Sequence, residues 1–190
     1  MGLEVLFLLS VAVFLPFVCA GFAFTFWRKA AQQRGVAQAW RSYATRARLD
    51  FDPPTGAWPM VSSAVVRGES EAGPFRIELL GTHEQTRTLL TLRREPMRLG
   101  EFALDARGAC VNERPAGFAT PLASPGFLRL YCAFALDAST ELRYVRGAIE
   151  LEWLGGELSA ARLDEARRVA TQAALMLDAA APGARAETSG

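Results

Sequence analysis

Gly147–Leu177 reads GAIELEWLGGELSAARLDEARRVATQAALML, and partway along it the spacing of the apolar residues changes. In Gly147–Leu154, Ile149, Leu151 and Trp153 alternate with Glu150 and Glu152, which predicts a strand with one buried and one wet face. Gly155-Gly156 predicts a tight hairpin turn into a further strand over Glu157–Ala161. From Leu163 to Leu177 the residues Leu163, Ala166, Val169, Ala170, Ala173 and Leu177 recur at spacings suited to one face of a helix, which predicts a helix packed over the sheet. Strand pattern followed by helix pattern, in one continuous stretch, sets the class as α+β.

Working back along the chain, Val61–Arg67, Phe75–Leu80 and Thr86–Arg94 are rich in β-branched and alternating apolar residues, with turn residues in Gly68–Pro74 and Gly81–Gln85. Connections this short exclude parallel crossovers, so these three segments read as an antiparallel meander. Leu99–Asp105 and Cys110-Val111 read as short strands, Pro115–Gly126 as a surface loop, Phe127–Leu136 as a strand, and Asp137–Glu141 as a helical turn capped by Asp137. Asp52–Pro59 is an extended connection in which Trp58 can cover the edge of the core.

The N-terminal part is of another kind. Val5–Trp27, VLFLLSVAVFLPFVCAGFAFTFW, carries no charge, and its length as a helix is about 34 Å, enough to cross a hydrocarbon core of about 30 Å. Pro16 lies mid-span, where membrane helices tolerate it. A cleaved signal peptide needs a basic start and a shorter apolar core, and the sequence MGLE with the long run after it fits neither. Cys19 lacks the small residues that a lipoprotein site needs before it, and Leu6 stands where a myristoylation site has Ser or Thr.

After the span come Arg28, Lys29, Arg34, Arg41, Arg46 and Arg48, with no acid until Asp50. Basic flanks stay on the cytoplasmic side, which predicts an inner-membrane protein with its N-terminus outside and its C-terminal domain cytoplasmic. The alternative places that domain outside the cytoplasm, where Cys110 and Cys132 could pair rather than remain reduced, buried thiols. Trp27 suits the membrane interface. Only Arg28, Lys29 and Arg34 lie close enough to feel anionic headgroups if the helix runs straight, because the Debye length is about 8 Å. A turn at Gly35 would let the others reach the lipid. Val36, Ala39, Trp40, Tyr43, Ala44 and Ala47 form an apolar stripe that suits packing of this helix on the domain's own sheet.

The expected organisation is therefore a transmembrane anchor over 1–27, a basic juxtamembrane helix over 28–50, a soluble α+β domain over 51–180 with a mainly antiparallel sheet packed by the neck helix and a C-terminal helix, and a disordered tail over 181–190. Residues 50–190 hold 15 Arg against 19 Asp and Glu, so the head is acidic and nucleic acid is not its expected partner.

Catalytic signatures are not found. The single histidine, His83, sits in a turn sequence without metal-ligand spacing around it, and the phosphate-loop, dinucleotide and nucleophile-elbow patterns are missing. No catalytic residue, metal or cofactor is expected. Glu150 and Glu152 share one side of a strand, usually the wet face of a sheet rather than an acid–base pair. Two functions are open. One is a noncatalytic, membrane-tethered module that meets a protein partner or a second copy of itself. The other is a receptor or enzyme for an anion or small ligand, with Arg76, Arg87 and Arg93 lining a site on the first meander.

Overall fold

The computed structural model describes residues 2–56, 63–81, 86–94 and 99–180. Trp58, His83 and the expected tail over 181–190 lie outside the described residues.

Helix α1 runs without interruption over Gly2–Ala47, 46 residues or about 69 Å. It is the one helix among the described residues that is long and apolar enough to cross a membrane. No turn forms at Gly35. A helical glycine costs only about 1 kcal/mol relative to alanine, less than the burial of Val36, Trp40, Tyr43 and Ala44 just beyond it returns. The neck helix is thus packed on the head, and α1 ends where Arg48 takes a left-handed φ of 55° and Leu49 N–H donates back to the Ala44 carbonyl at 2.8 Å.

Eight strands follow: β1 Asp50–Asp52, β2 Val65–Ser70, β3 Gly73–Gly81, β4 Thr86–Arg93, β5 Glu101–Leu104, β6 Cys110–Arg114, β7 Glu141–Val145 and β8 Ala148–Leu154. They form one sheet in the order β1-β2-β3-β4-β8-β7-β5-β6, with every pairing antiparallel. One register row, Val66↔Ile77↔Leu90↔Leu151↔Leu142, crosses five strands and is fully buried. The same face carries Phe75, Leu92, Ile149, Trp153, Phe102 and Tyr144. Over it lie residues 36–47 of α1, a 3₁₀ turn Thr120–Ala123, α2 Pro125–Phe134 and α3 Ala160–Ala179. All the described helices share one face; the other carries the charged side chains, with Val65, Leu89 and Glu152 buried among them.

Three local readings are corrected. Phe127–Leu136 is helix, not strand: Ser124 accepts a hydrogen bond from Phe127 N–H, Pro125 opens the first turn, and Phe127, Tyr131 and Phe134 bury one stripe. Glu157–Ala161 is not a strand, because Ser159 caps α3 by accepting from Arg162 N–H at 3.3 Å, and Gly155 with φ 90° turns the chain toward the helix layer instead. Pro115–Gly126 is not wholly surface loop, since Phe118, Ala119 and Leu122 enter the core. Asp137–Thr140 forms the expected single turn, with Thr140 N–H donating to the Asp137 carbonyl and Ser139 N–H to its carboxylate, and Glu141 opens β7, a strand not expected there. Arg146-Gly147, both at positive φ, form the two-residue hairpin joining β7 to β8.

Candidate functional site

Two regions hold the residues that the sequence singled out. The first is the neck. Trp27 is 68% exposed on α1, and Arg28 and Arg34 are exposed beside it. Lys29 belongs to the same helix, but its side chain is outside the described part. Trp27, Arg34 and Arg41 are spaced by seven, so they fall on one face of α1, away from the stripe that packs on the head.

The seam between α1 and the head is polar as well as apolar. Trp40 is fully buried and its indole N–H donates to the Glu157 carbonyl at 2.7 Å. Tyr43 O–H donates to Asp164 Oδ1 at 2.9 Å, and Arg167 Nη1 donates to the Tyr43 oxygen at 3.0 Å while its guanidinium lies 4.9 Å above the Phe75 ring. Val36 packs so tightly against Gly156 that a Cβ there would stand 2.7 Å from its Cγ2. These contacts tie α1 to the β8–α3 connection and to the first turns of α3. They fix the orientation of the head relative to the helix.

Burial pushes the Tyr43 phenol up to about 12, against a smaller opposing pull from Arg167. A group whose folded pKa is raised contributes stability below its unfolded pKa and loses it as pH rises through the folded value. The seam therefore loosens between pH 10 and about 12. A tyrosinate absorbance titration shows this late-titrating phenol; Tyr43→Phe removes it, and an unchanged curve in that variant contradicts the assignment.

The second region is the open face of the sheet. Arg76 pairs with Glu78 at 2.6 Å and Arg67 with Asp52 at 2.8 Å. Arg87 pairs with Glu152 at 2.8 Å, and Arg143 reaches Glu150 at 3.0 Å and Glu152 at 3.2 Å. Arg93 is exposed at the far end of β4. Register places Arg76 opposite Arg67 and Thr91, with Arg93 diagonal to it, whereas Arg87 stands opposite Leu80 and Leu154 near the other end of the strand. Arg76 and Arg93 are therefore near neighbours and Arg87 is apart from them. An anion arriving at Arg76 or Arg87 meets a guanidinium already engaged by a carboxylate. Glu152, only 8% exposed between Arg87 and Arg143, was missed as a structural residue because alternation alone made it look wet.

Cys110 and Cys132 are unbridged and exposed, not buried as thiols of this kind usually are. A 470 Å³ depression between the 3₁₀ turn and the end of α3 is lined by Gly117, Thr120, Pro121, Met176, Ala179 and Ala180. It carries no charged side chain and lies on the helix layer, remote from the arginines.

No family model matches the chain, and none of the curated proteins compared with it matches. Among solved structures, the crystal structure of the mycobacterial trehalose monomycolate transport factor A, TtfA, superposes with a TM-score of 0.56 at 14% identity, covering 76% of this chain and 96% of that one. At that identity the likeness is one of fold: mixed helix and antiparallel sheet.

Proposed function

We propose that this chain is a single-pass inner-membrane protein whose cytoplasmic head is a noncatalytic interaction module serving lipid transport. The observation that carries this reading is the uninterrupted α1, which joins a segment apolar enough to span a bilayer to a stripe locked into the head by Trp40 and Tyr43. A head fixed at constant height and angle above a membrane suits a part that positions other proteins there. Lipid transport, as the process served, is suggested by the fold shared with the mycobacterial transport factor. Six basic residues directly after the span support a cytoplasmic head, with Arg28, Lys29 and Arg34 on anionic headgroups. Its partner is another protein or a second copy.

Cells lacking the chain are expected to deliver pulse-labelled envelope lipid to the outer leaflets more slowly, and the full chain to restore the rate. Unchanged delivery sinks the transport reading. A reporter enzyme fused after Gly190, active only outside the cytoplasm, is expected to be silent; activity there reverses the orientation.

A further inference from the structure

The end of the head from which α1 emerges is a hydrophobic rim. Val36 meets Gly156 and Trp40 meets Glu157, so the β8–α3 connection lies at the level where α1 enters the head. The strand pairings put the end of β3, the start of β4, the end of β8 and the start of β7 at this same level. The turn after α2 is there too, because Asp137 lies 3.9 Å from Arg162 in the first turn of α3. At this level Leu80, Leu136, Leu154 and Leu158 are 38%, 75%, 47% and 62% exposed. Beyond α1, the remaining large apolar side chains exposed among the described residues are Leu99 and Val111. Among the described residues, apolar exposure on the head is thus concentrated at the end from which α1 emerges.

The geometry points to a bilayer as what covers this rim. Trp27 marks the interface, and the rise from it to Val36 is about 13 Å along α1. The headgroup layer takes up about 5–7 Å of that. A helix tilt of about 20°, ordinary for spanning helices, lowers a rim packed about 10 Å off the axis by about 3 Å, and the leucine side chains reach further down. The leucines then reach the headgroup surface. The described acids near the rim are largely paired: Glu157 and Asp137 share Arg162, Glu141 at the start of β7 pairs with Arg143, and Asp52 with Arg67. On the other side of α1, Arg34 and Arg41 continue the basic neck toward anionic lipid. The head is therefore not merely tethered; it rests on the membrane along its leucine rim, while the opposite end, with the Ser70–Gly73 turn, points away.

This inference rests on α1 spanning the bilayer, and the test reads the two separately. The full chain, with its native cysteines changed to serine, is reconstituted into phosphatidylcholine vesicles with and without phosphatidylglycerol. A bimane label is placed at Leu154→Cys, Leu158→Cys or, as a control at the far end, Glu71→Cys. Resistance to alkaline carbonate extraction reports the span. Quenching by lipids carrying spin labels at the headgroup or the shallow acyl positions reports the rim. The expected result is quenching several-fold stronger at positions 154 and 158 than at 71, enhanced by the anionic lipid. Carbonate-resistant chain with equally weak quenching at all three positions overturns the rim while leaving the span. Labels at 154 and 158 shielded from a water-soluble quencher yet untouched by the lipid quenchers also overturn it, since a second copy then covers the rim. Extraction by carbonate overturns both. Leu158→Ser, a change at an exposed position, is expected to lower quenching at 154 without altering the melting temperature.

Discussion

Trp40→Ala lowers the unfolding free energy by about 3–5 kcal/mol, the range for deleting a large buried aromatic side chain. The indole is fully buried at the centre of the stripe on α1, and its N–H is the hydrogen-bond donor to the carbonyl of Glu157. Truncation leaves a cavity between α1 and the β8–α3 connection and an acceptor with no partner from the helix. Denaturant unfolding of the full chain in detergent measures the loss. Trp40→Phe separates the two terms: it retains most of the packing and forfeits the hydrogen bond, for which a cost of about 1 kcal/mol is expected. Hydrogen exchange adds a positional readout, with amides of 36–47 losing protection first in Trp40→Ala. If both variants unfold like the parent, α1 is not locked to the head, and the fixed orientation on which the proposed function depends is gone.

Arg87→Met combined with Arg143→Met costs about 3–5 kcal/mol, because it leaves the Glu152 carboxylate nearly buried and without a counter-charge. Each single change is expected to cost less, since Glu152 keeps the other arginine. Adding Glu152→Leu to the pair is expected to recover most of the loss, as replacing a buried ionic cluster by apolar groups often does. Glu152 faces Leu89 on β4 and Glu141 on β7, so an apolar residue there meets at least one apolar neighbour. This series distinguishes a structural network from a ligand site. A structural network shows coupling between the three positions in stability alone. Were inorganic phosphate or a dicarboxylate to raise the melting temperature of the parent and not of the double variant, the arginine-lined alternative would regain its standing.

Much of the architecture is legible in the amino-acid order where one periodicity dominates. Ile149, Leu151 and Trp153 against Glu150 and Glu152 declare β8, and the Leu163–Leu177 stripe declares α3, because a face that must leave water writes its period into the chain. Where two signals compete, local reading fails. FLRLYCAF is apolar enough for a buried strand, and its helical state is decided by the Ser124 cap, Pro125 and the fit of Tyr131, whose O–H donates to the Leu104 carbonyl at 3.2 Å. Gly155-Gly156 is compatible with a hairpin, but Thr88 O–H donates to the Gly155 carbonyl and Gly155 N–H to that of Thr86, and the chain leaves the sheet for α3.

The order of residues alone determined that an uncharged segment long enough for a bilayer is followed by a basic neck and an acidic α+β head, since hydropathy and charge are additive properties of neighbouring residues. Only the tertiary structure decided that α1 is continuous through Gly35, that Glu152 is enclosed by Arg87 and Arg143, and that four exposed leucines gather at the end of the head from which α1 emerges. Those depend on which residues meet across a sheet or a helix seam, some nine positions apart as Arg143 and Glu152 are, others 65 or 117 apart as Arg87 and Glu152 or Trp40 and Glu157 are, and no local pattern encodes such meetings.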